Sequence, residues 1–167
     1  MGDLKFLDQY AGQSTDELIA LESAFRIDSL VLAFEEALDR KVERYGEEQL
    51  TDEERVILAI EALEREVNNG GYDQFFQNTS KEYAPIVVAA LKKIGCMLEA
   101  SLTEEAIQAL GIIGPVTVEA IDQVMGDDSD ERDAKLNACD RRYYNETGDI
   151  AGVLWGYIKR NRSKIEI

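Results

Sequence analysis

Apolar residues that return every three or four positions, in short runs closed by capping residues, constrain this chain more than any other feature. A 3.6-residue period buries one face of a helix; a strand alternates its faces every two residues. Val56, Ile60, Leu63 and Val67 follow one another at spacings of 4, 3 and 4, and Tyr83, Val87, Ala90 and Ile94 repeat that spacing, with Pro85 tolerated in the first turn. Leu30, Val31, Phe34, Leu38, Val42 and Tyr45 share a face in a segment that Gly46 closes. Ser14-Thr15-Asp16-Glu17 has capping-box spacing and predicts a helix through Leu18, Leu21 and Phe25, with Asp28 or Ser29 capping the next. Thr51-Asp52-Glu53-Glu54 is a second capping signature, and Gly95 a helix stop. Thr103-Glu104-Glu105 is read as opening a short helix to Leu110, and Gly114-Pro115 as separating it from one through Ile121 and Met125. Two more helices carry Leu136, Cys139 and Tyr143, then Ile150, Val153, Leu154, Tyr157 and Ile158. The expectation is an all-α fold with no significant sheet: a single compact multi-helix domain over residues 15–167, after an N-terminal extension over 1–14.

Charge limits the chemistry. The 167 residues hold 34 Asp and Glu against 18 Lys and Arg, a formal −16, and no histidine. The usual proton shuttle and commonest metal ligand are therefore missing, and the field repels nucleic acid while attracting basic partners. Ser-His-Asp and Cys-His machinery is excluded; no Gly-rich phosphate loop or dinucleotide fingerprint is present. Cys96 and Cys139 cannot make a four-ligand zinc site alone. Cys139 falls at a core position and Cys96 is expected to be partly exposed. The opening Met1-Gly2-Asp3-Leu4-Lys5 lacks a basic leader and an apolar run, and the least charged stretch, 106–118, is too short and too broken to span a bilayer. A cytoplasmic protein with reduced thiols follows.

Carboxylate chemistry needs separate weighing. Gly126-Asp127-Asp128-Ser129-Asp130-Glu131 is rich in oxygen ligands but lacks the Gly and Glu of an EF-hand loop, so it reads as a solvated loop capping the following helix. Glu61/Glu64 and Glu119/Asp122 pair carboxylates one turn apart, the arrangement of a divalent-metal enzyme acting on phosphorylated small molecules. No basic phosphate-gripping motif accompanies them. The reading is therefore non-enzymatic: no catalytic residue, metal site or cofactor is assigned.

The acids are uneven, with 20 of the 34 in the first 82 residues. Helical phase places Glu36, Asp39 and Glu43 opposite the apolar face of their helix, and Glu54 and Glu61 opposite Ile60 and Leu63. Glu47, Glu48 and Asp52 continue the row through the connection. These eight form the candidate face for a basic partner. Arg40, Arg44 and Arg65 interleave with it, as on an ordinary solvated helix surface.

The most distinctive string is Asn68-Asn69-Gly70-Gly71-Tyr72-Asp73-Gln74-Phe75-Phe76-Gln77-Asn78. Asn and Gly end a helix sharply. Tyr72, Phe75 and Phe76 then form a compact aromatic turn onto the core, while Gln74 and Asn78 supply amides for exposed backbone groups. With the preceding Ala-Leu-Glu-Arg-Glu-Val and the following Tyr83-Ala84-Pro85, this string resembles a bacterial family of small helical domains typified by an acidic DNA-mimic protein. The likeness is clearest over residues 52–96. It implies an all-α fold, a homodimer, and binding of basic DNA-binding proteins such as transcription regulators or histone-like proteins in place of DNA; the acidic charge and the lack of a long apolar run add the expectations of no direct nucleic-acid binding and no membrane role. The alternative is a structural or interaction module whose partners use the aromatic corner.

Overall fold

A computed structural model describes residues 3–167. Among them it contains eight α-helices: α1 (Thr15–Ala20), α2 (Ile27–Tyr45), α3 (Asp52–Gln77), α4 (Ala84–Ile94), α5 (Met97–Ala109), α6 (Val118–Met125), α7 (Asp130–Glu146) and α8 (Ile150–Arg160). The only β-pairing among the described residues is an isolated bridge between Lys5 and Phe25. The all-α class is as expected. The chain groups into two compact units, one of Met1–Leu58 with Asp149–Ile167 and one of Ala59–Gly148.

In the first unit, α2 packs on α8. Leu30, Phe34, Leu38, Leu154 and Ile158 are fully buried, and Phe34 meets Trp155 edge-on at 6.0 Å. The capping box at Ser14 and Glu17 forms as its spacing predicts, but α1 ends at Ala20 and gives way to a 3₁₀ turn at Leu21–Ser23. α2 starts earlier than expected, with Arg26 at its N-cap. Ser29 lies inside the helix, donating to the Arg26 carbonyl at 2.7 Å and accepting from the Leu7 amide at 3.0 Å. Residues 3–14 are held down by backbone bonds between Lys5 and both Ala24 and Arg26, and by Tyr10 N–H donating to Glu36 at 3.0 Å. Among the bonds that tie the C-terminal strap, Thr15 donates to the Ile165 carbonyl at 2.7 Å and Thr51 to that of Lys164 at 2.9 Å.

In the second unit α5 packs against both α4 and α7. α5 begins at Met97, six residues before the expected start. Cys96, at its N-cap, supplies no side-chain bond, so the start carries no sequence signature. Thr103, read as a cap, is wholly buried mid-helix. Both thiols are buried and free, which corrects the expected partial exposure of Cys96. Ser129 caps α7 by accepting from the Arg132 amide, as the acidic loop was expected to do.

Candidate functional site

The eight acids assigned to one face divide by burial. Asp39, Glu43, Glu47, Glu48 and Asp52 are exposed, and Glu36 is half-exposed. Glu36 is engaged by Arg40 and the Tyr10 amide, and Glu47 pairs with Arg55 at 2.9 Å. Glu43, Glu48 and Asp52 make no ion pair among the described residues. The spacing of 36, 39 and 43 advances the charge by about 4.5 and 6 Å along the helix axis. A DNA strand advances about 3.4 Å per phosphate, so the stripe is sparser than a strand but of the same order.

Glu54 and Glu61 do not belong to that face. Glu54 has no exposed surface: its carboxylate accepts both contacts of Lys41 at 2.9 Å, the Thr51 amide at 2.9 Å and the Glu166 amide at 2.8 Å. The second capping box has formed here, since Thr51 Oγ1 in turn accepts from the Glu54 amide. Unlike Glu17, which caps α1 while exposed, the Glu54 carboxylate is enclosed by Lys41 and the C-terminal strap as well as by its own helix start. Glu61 is buried because every residue from Val56 to Leu63 is buried, so this stretch of α3 has no solvent stripe. The run Val-Ile-Leu-Ala-Ile-Glu-Ala-Leu is apolar all round except at Glu61, the pattern of a central helix.

The Asn-Gly-Gly-aromatic string forms a structural corner. α3 kinks at Gly70 (φ −158°, ψ 16°) and Gly71 (φ 78°, ψ −175°), then resumes helical form through Gln77; the expected aromatic turn is a helical one. A Cβ on Gly71 would overlap the Asp140 carboxylate, which instead accepts the Tyr72 amide at 2.8 Å. Tyr72, Phe75 and Phe76 are fully buried, with Tyr72 edge-on to Tyr143 at 5.9 Å and its hydroxyl bonded to Thr103 at 2.9 Å. Gln74 and Asn78 donate to the buried Glu66 carboxylate at 2.7 and 2.8 Å, joined by Ser80 at 2.8 Å. This corrects their expected use on backbone groups: a buried carboxylate demands donors more strongly than exposed amides do. Asn68 and Asn69 lie exposed at the kink.

A half-buried carboxylate, Glu64, and a buried one, Glu66, have their pKa values shifted in opposite directions here. Burial pushes Glu64 above the usual carboxylate range, helped by the charge of Glu99, although the Tyr143 hydroxyl donates to it. Burial acts likewise on Glu66, but the donors Gln74, Ser80 and Asn78 outweigh it and hold its pKa low. The Cys96 thiol is pushed up to about 11 by burial and by Glu99 and Glu64, so it is a thiol and not a nucleophilic thiolate at neutral pH. No three His, Cys, Asp or Glu side chains among the described residues converge in a way that could hold a metal ion.

Sequence reasoning passed over a second acidic surface. Residues 119–133 carry seven acids, all exposed: Glu119, Asp122, Asp127, Asp128, Asp130, Glu131 and Asp133. Arg132, the one base in that stretch, is buried and donates to the carbonyls of Val124 and Asp127 at 2.7 and 2.8 Å. Lys81 and Lys135 reach in to pair with Asp122 and Glu131. The signal was visible as a dense acidic run; the inward turn of Arg132 was not.

Fold and surface together define an all-helical acidic protein with structurally committed polar groups inside and carboxylates outside. The chain belongs to the family of DMP19-like proteins, whose model matches residues 48–161. That family is of the DNA-mimic type which the Asn-Gly-Gly-aromatic string resembles. No curated protein and no solved structure matches the chain. No helix among the described residues is long and apolar enough to cross a membrane.

Proposed function

We propose that this protein is a non-enzymatic, cytoplasmic DNA mimic that binds a basic DNA-binding protein, either a transcription regulator or a histone-like protein, and acts as a homodimer. The observation that supports it is the set of exposed carboxylates free of ion pairs on the 36–52 stripe, Glu43, Glu48 and Asp52, in a chain of the DMP19-like family. Asp39 extends this contact face, with Glu36 and Glu47 at its margin. Mutual repulsion along the stripe costs the fold roughly 0.2–0.5 kcal/mol per neighbouring pair, a cost that a basic partner relieves on binding.

Arg40 interrupts the stripe, since on a helix turning about 100° per residue it lies only about 40° from position 36 and it pairs with Glu36; Arg44 lies further round, about 80° or more from positions 36, 39 and 43. A second reading of the contact surface has its own support. The 119–133 stretch lies inside the family match, whereas most of the α2 stripe precedes residue 48.

Charge reversal separates the two. Asp39→Lys/Glu43→Lys/Glu48→Lys spares every buried carboxylate; Asp127→Lys/Asp128→Lys/Asp130→Lys tests the other surface. The first triple variant, folded by circular dichroism, is expected to lose competition with duplex DNA for a histone-like protein. Retention by that variant and loss by the second would transfer the contact to residues 119–133. Retention by both would reject carboxylate mimicry.

A further inference from the structure

Two uncharged runs of the sequence meet on the second unit. Residues 106–118 are the longest stretch of the chain without Asp, Glu, Lys or Arg, and residues 83–91 are another such stretch. The packing of α4 on α5 brings them together. Pro85 and Val88 from one run, with Ile107, Gln108, Pro115 and Val116 from the other, line a groove of about 480 Å³. Its one charged lining residue, Glu104, lies 3.9 Å from Lys92.

The loop that supplies Pro115 and Val116 also carries a knob. Ile113 is fully exposed, more so than any other large apolar side chain among the described residues. Gly111 (φ 66°) and Gly114 (φ 104°) hold left-handed conformations on either side of it, and Pro115 follows directly, so the backbone itself fixes the tip. A tip fixed in this way loses little freedom on docking. Charge limits what can cover it. Two chains of −16 repel one another through their acidic surfaces, but here each presents an uncharged one. A basic partner finds no carboxylate at this groove beyond Glu104, and has the acidic surfaces to bind instead. Knob and groove lie within a few residues of each other, so a two-fold axis can seat each tip in the other copy's groove, a contact that closes at two copies.

We propose that two copies of this chain join here, the Ile113 tip of each seated in the groove between Pro85 and Val116 of the other. The proposal rests on the homodimer reading above and assigns its interface. It has an electrostatic consequence. The exposed acids of residues 119–133 begin three positions beyond Val116, so pairing brings two acidic surfaces toward each other. Added salt screens that repulsion and leaves the apolar contact in place. The dimer therefore tightens with salt, whereas the complex with a basic partner weakens.

Sedimentation equilibrium of the full chain at low and high salt tests this, with Ile113→Asp on the knob and Pro85→Glu on the groove. Both side chains are exposed, and a carboxylate in the first turn of α4 suits the helix N-terminus, so both variants should fold, as circular dichroism will show. The parent is expected to be a dimer whose dissociation constant falls as salt rises. Each variant should raise that constant by roughly tenfold or more, as the loss of a central apolar anchor does. A dimeric parent left intact by either folded variant, or weakened by salt, would overturn this interface and leave the homodimer reading standing. A parent that stays monomeric at every salt concentration would overturn both.

Discussion

Gly71 holds a backbone conformation that other residues adopt only at a cost of about 1–3 kcal/mol. Asp140 also occupies the space a side chain would need. Gly71→Ala should therefore lower stability by at least that amount, read as a fall in the urea midpoint, and an unchanged midpoint would contradict the corner as described. The neighbouring carboxylates give a pH signature. Because folding raises the pKa of Glu64, its contribution is fully present below the unfolded carboxylate pKa and is lost as pH rises through the folded one. Glu64→Gln should gain stability over the parent at pH 8 and show no gain at pH 3, measured by thermal melting. Glu66 has the opposite sign: its lowered pKa gives stability above the unfolded pKa that is lost as pH falls through the folded one. Glu66→Gln should accordingly destabilise at pH 7 and converge on the parent in acid.

At the scale of elements, α2 and α3 show why acids of similar sequence setting have different fates. Glu43 and Glu54 were placed on one face, yet Glu43 meets solvent and Glu54 anchors a helix start, a lysine and the C-terminal strap. Glu54→Ala should cost about 3–5 kcal/mol by stranding the mostly buried Lys41. Glu43→Ala should stay within about 0.5 kcal/mol, and equal effects in chemical denaturation would contradict the burial. Helix positions and most ends were legible, because periodicity and caps are local: Ser14/Glu17, Thr51/Glu54, Gly46 and Gly95 all mark ends where the structure has them. The start of α5 was not, since Cys96 carries no capping chemistry and the Thr103-Glu104-Glu105 signature belongs to a mid-helix threonine serving Tyr72. The acidic stripe was half legible. Phase located Asp39 and Glu43, but only tertiary packing could show that α3 is enclosed on all sides around Glu61.

Over the whole molecule, some of the 34 acids are engaged in internal ion pairs, which leave the net −16 unchanged. The basic C-terminal residues meet acids of their own unit, Lys159 with Glu22 at 2.7 Å and Lys164 with Glu53 at 3.1 Å. What remains outside is the material for electrostatic attraction, which salt screens over about 10 Å at 0.1 M. A complex built on it should form fast and weaken steeply with added salt, whereas docking through the aromatic corner would require Tyr72, Phe75 and Phe76 to leave the core. The most direct test of DNA mimicry is displacement of a labelled duplex from a histone-like protein, followed by fluorescence anisotropy at low salt. The parent chain is expected to release the duplex in a dose-dependent way, and Asp39→Lys/Glu43→Lys/Glu48→Lys is expected not to. A duplex that stays bound in the presence of excess parent chain, across histone-like proteins and transcription regulators alike, would contradict it.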